Sequence, residues 1–234
     1  LYQTSNGTTR GSSISSLPTT VLDASHRLIY VSSENGNGNG HGNFGFIVND
    51  GTVDSDAATV TVNVTAVNDA PTATAQTVSV NEDTEVTITI SGSDSDGDNL
   101  TYKISSLPSN GTLYQTSDGS TKGSAVSSTG TTVSDGNYRL IYVSATNGNG
   151  NGHGNFGFKV NDGTSDSDEA TVTINVSAVD DSPTVSNAIT DITANEDASN
   201  AAIALNSVFT DVDNSDDDIT KSVQVNDNTD LISA

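Results

Sequence analysis

A chain of 234 residues with no cysteine, methionine or tryptophan, and only 32% hydrophobic, must build its core from Val, Ile, Leu, Phe and Tyr, and a disulfide scaffold is excluded. Seven basic residues against 30 acidic ones give a formal net charge of -23, so nucleic acid and anionic membranes are poor partners and divalent cations are good ones. No run approaches the roughly 18 apolar residues of a membrane span, no signal peptide opens the chain, and a start at Leu1 without methionine points to a piece of something longer.

An internal repeat organises the sequence. Leu1 to Pro71 aligns with Leu113 to Pro183, and only about 20 of the paired positions differ. "RLIYVS" at 27 recurs at 139, and "NGNGNGHGNFGF" at 35 recurs at 147. The match continues more weakly beyond the proline, with "NED" at 81 returning at 195 and Asp94-Ser95-Asp96 returning as Asp211-Val212-Asp213. The chain is therefore read as the later part of one repeat (1–71), a complete repeat (72–183) and the opening part of a third (184–234).

In the complete repeat the elements follow as strand after strand. Residues 77–80 and 85–91 alternate, with Val86, Ile88 and Ile90 on one face and Thr87 and Thr89 on the other, the period of a half-buried strand. Leu100, Tyr102 and Ile104 form the next apolar stripe, Pro108 to Gly111 is a turn, and residues 112–115 are placed to pair back. Residues 117–132 read as loop or short edge strand. Strands follow at 139–144, at 155–161 with Phe156, Phe158 and Val160 on one face, and at 171–179 with Val172, Ile174, Val176 and Ala178 on one face. β-Branched residues dominate the apolar runs and no window has helical periodicity. About seven strands in one repeat predict an all-β fold of tandem antiparallel Greek-key β-sandwich modules.

The blocks and their order carry a resemblance. "VNEDTEVTITISGSDSDGDNLTYKI" (80–104) is similar to the opening half of a cadherin repeat, and "FKVNDGTSDSDEATVTINVSAVDDSP" (158–183) to its closing half. The middle of the repeat looks more like the cadherin-like tandem repeats of large bacterial surface adhesins, the extender modules of RTX-type adhesins. The resemblance covers nearly all of 72–183 and both flanking pieces, and implies a cadherin- or immunoglobulin-like module.

That resemblance also implies Ca²⁺ at the joints between modules. For the joint at 67–71 it implies Asn68 and Asp69 with Asp94, Asp96, Asn99 and Asp162, and for the joint at 179–183 it implies Glu82, Asp180 and Asp181 with Asp211 and Asp213. Asp50, the counterpart of Asp162, would face a joint before Leu1, and Asp98 is expected to point to solvent. Ca²⁺ takes six to eight hard oxygen ligands in flexible geometry, which carboxylates from two modules and a linker can supply. The linkers are shorter in acid and amide residues than those of animal cadherins, and no mid-repeat Asp-Arg-Glu block is present, which implies about one or two ions per joint instead of three.

Other motifs reduce to simpler chemistry. "DSDGD" fails as an EF-hand, because its glycine comes too early, with Asn99 at position six, and Ser105 stands where the closing glutamate is required. Asp54, Asp56, Asp166, Asp168 and Glu169 read as solvated turns. The Asn-Gly tract before His41 and His153 lacks the aspartates of a calcium roll and the helix of a phosphate loop, so it reads as a flexible hairpin tip with a surface histidine. The sequons at Asn6, Asn63 and Asn175 stay unassigned.

Two functions are consistent with these features. One is a calcium-rigidified extender of a secreted or cell-surface bacterial adhesin, serving adhesion or biofilm formation, whose immediate partners are the neighbouring repeats. The alternative is a module that itself binds surface glycans or another cadherin-like module. Near-identity of two copies favours the spacer, which works by repetition, and aromatic residues at 5% disfavour a sugar platform. Three histidines, no cysteine and no nucleophile beside a base leave no catalytic constellation, so no enzyme is expected.

Overall fold

The computed structural model of the chain describes residues 1–193, 195 and 202–223, so the returning Asn-Glu-Asp block lies, past Asn195, outside the described residues. The described residues form strands joined by turns: β1 (Tyr2–Thr4), β2 (Arg10–Ser13), β3 (Leu28–Ile29), β4 (Gly38–Phe46), β5 (Ala58–Val64), β6 (Thr72–Thr74), β7 (Gln76–Asn81), β8 (Glu85–Thr89), β9 (Ser91–Ser93), β10 (Thr101–Ser106), β11 (Thr112–Gln115), β12 (Arg139–Val143), β13 (Phe156–Asn161), β14 (Ala170–Ser177), β15 (Thr184–Val185) and β16 (Phe209–Thr210). No helix among them is long and apolar enough to cross a membrane. Two compact units result. One takes in Leu1–Thr72 with Ser93–Leu100 and Asn161–Ser167, the other Ala73–Gly92, Thr101–Val160 and Asp168–Ala234.

The second unit is the sandwich that the alternation predicts. One sheet has the order β10-β13-β14-β7 and the other β11-β12-β8. Their facing sides carry Ile88, Tyr102, Ile104, Leu113, Leu140, Tyr142, Phe156, Phe158, Val172 and Ile174, all buried. Each such side chain contributes about 1.5–3 kcal/mol by leaving water. Within the core the Tyr102 and Phe158 rings stack at 6.3 Å. The Tyr142 hydroxyl donates to the carbonyl of Asn110 at 2.9 Å, and Gly154 makes room for it, since a Cβ there would lie 2.1 Å from that oxygen.

Three details differ from the sequence reading. In the sandwich β11, β12 and β8 pair antiparallel, as do β13 and β14, but β7 and β14 pair parallel with Ile174 opposite Val78, because the entering and closing strands of the module run the same way along one edge. After the 108–111 turn, β11 pairs with β12 and not back onto β10, so the turn changes sheets. The Asn-Gly tract is no hairpin tip either. It runs from β12 in one sheet to β13 in the other, and these two strands do not pair.

The first unit repeats part of this plan. β1 lies between β2 and β3, and β4 pairs with β5. The turn that precedes β3 is stapled by Arg27 and Asp23 at 2.9 Å, as the turn that precedes β12 is by Arg139 and Asp135 at 2.8 Å.

Candidate metal centre

At the first joint the geometry starts from one side chain. Asp94 Oδ1 accepts the backbone N–H of Asp96 at 2.8 Å and of Asp98 at 3.3 Å, so the loop winds around its own carboxylate. Gly97, at φ 80°, supplies the left-handed turn that this winding needs. The other oxygen, Asp94 Oδ2, is shut off from solvent and has no hydrogen-bond partner. Carboxylate oxygens of Asp94, Asp96 and Asp98 lie within 4.8 Å of one another.

The linker closes on this loop. The N–H of Asp69 donates to Asp96 Oδ2 at 2.7 Å, and the Asn68 amide donates to Asp162 Oδ2 at 2.9 Å. Asp162 Oδ1 in turn accepts the N–H groups of Thr164 and Ser165 at 2.6 Å. The Ser165 N–H, the Asn68 amide and the Thr164 N–H hold the Asp162 carboxyl below its ordinary range, in that order of effect. Asn99 is exposed, one residue beyond the three clustered aspartates. Asp50 Oδ1 caps its own turn by accepting Thr52 and Val53 N–H at 2.8 and 2.9 Å.

The second joint repeats the arrangement inside the second unit. Asp211 Oδ1 accepts the N–H of Asp213 at 2.9 Å and of Asn214 at 2.8 Å, and Asp211 Oδ2 is again buried without a partner. The N–H of Asp181 donates to Asp213 Oδ2 at 2.8 Å. The Asn214 amide reaches Asp180 Oδ1 at 3.2 Å.

Here the module's own entrance joins in. Glu82, 2% exposed, accepts the Val179 N–H on Oε1 at 2.7 Å and the Asn149 amide on Oε2 at 3.2 Å. With its amide nitrogen turned inward, Asn147 donates to Asp83 Oδ2 at 3.2 Å and Asp181 Oδ2 at 3.1 Å. Burial, and then the charges of Asp83, Asp213, Glu82 and Asp211, push the Asp181 carboxyl above its ordinary range.

The structure thus brings together Asn68, Asp69, Asp94, Asp96 and Asp162 at one joint and Glu82, Asp180, Asp181, Asp211 and Asp213 at the other. Residues that sequence reasoning missed are Asp98, exposed but within the cluster, together with Asp83, Asn147, Asn149 and Asn214. The signal for Asn147 and Asn149 was the tract itself, identical in both copies while about 20 neighbouring positions changed. His153 is half-buried, not a surface residue, and its Nε2 is shut off from solvent without a partner. A Cβ on Gly148 would lie 2.7 Å from that nitrogen, so the tract folds over the ring. The clustered oxygens are carboxylate oxygens, which suit a hard divalent cation, and the two unpartnered oxygens, Asp94 Oδ2 and Asp211 Oδ2, stand at the same place in each joint.

Residues 68–175 match the family model described as bacterial Ig domain, in keeping with the β-sandwich that they form. No curated protein sequence matches the chain. Among solved structures, the chain is similar to an endo-fucoidan hydrolase of glycoside hydrolase family 107 (TM-score 0.32, 22% identity, 62% of this chain and 19% of that one). It is also similar to surface layer protein SbsC, over domains 4-9 (TM-score 0.29, 19% identity, 61% of this chain and 19% of that one) and over domains 4 and 5 (TM-score 0.26, 16% identity, 51% and 59%). The chain spans about a fifth of the length of the hydrolase.

Proposed function

We propose that this chain, whose complete repeat carries the bacterial Ig domain match, is an extender segment of a secreted or cell-surface bacterial protein, with Ca²⁺ bound at each joint. The observation that carries the reading is the repetition of one unusual geometry. At both joints an aspartate is wound into its own loop with one oxygen buried and unpartnered, and the linker N–H binds the next aspartate of that loop. A buried ionised oxygen without a donor costs free energy that a cation removes.

The chain's residues divide the work. Asp94, Asp96 and Asp98 at the first joint, and Asp211, Asp213, Asp181 and Glu82 at the second, offer the oxygens. The linker N–H groups and the amides of Asn68, Asn147, Asn149 and Asn214 hold those oxygens in place. A bound ion neutralises the carboxylate repulsion and ties linker to loop, which stiffens a tandem array and suits it to hold an adhesive domain away from the cell, in adhesion or biofilm formation.

Isothermal titration calorimetry on the full chain tests this. Ca²⁺ uptake is expected in the range of about 0.1–1 mM typical of extracellular modules, with a higher Tm than in chelator and weaker uptake in Asp94→Ala and Asp211→Ala. Absence of uptake up to several millimolar would sink the reading.

A further inference from the structure

In the tract that runs from β12 to β13, Asn147, Asn149 and Asn151 are each followed by glycine, and Asn35, Asn37 and Asn39 repeat the run in the first copy. An Asn-Gly bond is the asparagine linkage most prone to cyclise, because glycine has no side chain to shield its nitrogen. Once that nitrogen gives its proton to solvent base, it attacks Cγ of the asparagine before it. The new C–N bond closes a ring, the Cγ–Nδ2 bond breaks, and the amide leaves as ammonia. One water then opens the cyclic imide at either carbonyl, which leaves aspartate or isoaspartate. The outcome at each position turns on what holds the side chain and the glycine N–H.

Two of the three asparagines in the second unit are held at both places. The Asn149 amide donates to Glu82 Oε2 at 3.2 Å, and the Gly150 N–H donates to the Val176 carbonyl at 2.8 Å. Asp83 and Asp181 hold the Asn147 amide, and the Gly148 N–H donates to the Ala145 carbonyl at 3.1 Å. Asn151 stands exposed, and here the restraint is on the nitrogen. The Gly152 N–H donates to Asn175 Oδ1 at 2.8 Å. In the first unit the Gly40 N–H donates in the same way to Asn63 Oδ1 at 2.8 Å, beside an exposed Asn39. Gly40 and Gly152 share a left-handed φ of 66° and 64°. Asn63 and Asn175 stand at the same place on β5 and β14, and their acceptors are side chains, so one substitution removes the restraint without touching the backbone.

We propose that Asn39 and Asn151 are latent sites of succinimide formation, and that Oδ1 of Asn63 and of Asn175 keeps them closed by holding the next glycine nitrogen as an N–H. The only co-reactant is water and no metal ion enters, so the proposal stands apart from the calcium reading. Release of the lock adds a negative charge at the site, and isoaspartate also lengthens the backbone by one methylene. In the second unit this falls in the tract whose neighbouring amides meet Glu82, Asp83 and Asp181.

The test is incubation of the full chain at mildly alkaline pH, with peptide mass mapping and isoaspartate methyltransferase labelling to follow each asparagine separately. In Asn175→Ala, conversion at 151 is expected to run about five- to tenfold faster than in the parent, the effect of losing one hydrogen bond, while 147 and 149 keep the parental rate. Asn175→Asp retains an oxygen at Oδ1 and should hold 151 near the parental rate, and Asn63→Ala should speed 39 and leave 151 alone. The proposal is overturned if 151 converts no faster in Asn175→Ala than in the parent, if Asn175→Asp behaves like the alanine variant, or if 147, 149 and 151 accelerate equally, the mark of a loosened tract and not of a released lock.

Discussion

The backbone N–H of Val179 donates to Oε1 of Glu82 at 2.7 Å, across 97 positions of sequence. This bond joins the entrance of the complete module to its exit linker, and the Asn149 amide completes the carboxylate's partners at 3.2 Å. Asn149→Ala leaves a buried oxygen of Glu82 without its donor, so it should destabilise the second unit by about 1–3 kcal/mol. Urea unfolding in chelator measures this directly. The equivalent Asn37→Ala, whose amide reaches only the Asn35 carbonyl, should leave stability within about 0.5 kcal/mol.

Asp181 should show opposite effects with and without cation. Its carboxyl is pushed above the ordinary range by burial and by four neighbouring carboxylates, so the folded state holds its proton more tightly than the unfolded chain does. In chelator, therefore, its ionisation opposes folding at neutral pH, and that cost fades as pH falls towards the ordinary value of about 3.9. Asp181→Asn should raise Tm in chelator at pH 7 and weaken Ca²⁺ uptake at the second joint. A lower Tm in chelator would contradict the electrostatic reading.

Asp135 runs the other way. The hydrogen bond from the Arg139 side chain, with the N–H groups of Arg139 and Asn137, holds it down to about 2. Its contribution to stability is complete above the unfolded value of about 3.9 and is lost as pH falls through the folded one. Asp135→Asn should lower Tm at pH 7, and the gap to the parent should narrow as pH approaches 2. Calorimetry across that range reads the window.

Phe158 and Phe46 occupy the same place in the repeat. Phe158 is fully buried and Phe46 is 46% exposed. Phe158→Ala should cost about 3–5 kcal/mol through the cavity it leaves, while Phe46→Ala should cost about 1 kcal/mol or less. Equal losses in urea unfolding would mean that both faces are covered alike.

Much of the second unit was legible in its residues. The alternation of Val86, Ile88 and Ile90, and of Val172, Ile174 and Val176, placed those side chains on the buried faces they occupy, because a strand's two-residue period admits only two faces. Sheet partners were less legible. A strand's pattern says which face is buried and not which edge it joins, so the parallel partnership of β7 with β14 and the change of sheet at 108–111 appeared only in the fold. At the joints, the aspartates came from the resemblance, whereas Asn147 and Asn149 did not. Each is an ordinary turn residue until the tract is carried from one sheet to the other and its amides meet Glu82, Asp83 and Asp181.

The repeat, the strands, the acidic linkers and the residues from which a core could be built are written in local period and composition. How deeply each copy of the same strand is buried depends on the fold. Val60 and Val172 stand at matching places in a shared "ATVT" block, yet one is 36% exposed and the other is not exposed at all. Burial belongs to the neighbours a strand acquires: β14 lies between β13 and β7, whereas among the described residues β5 pairs with β4. The same reason separates a turn of aspartates in solvent from one whose innermost oxygen has lost water and found no donor, as at Asp94 and Asp211.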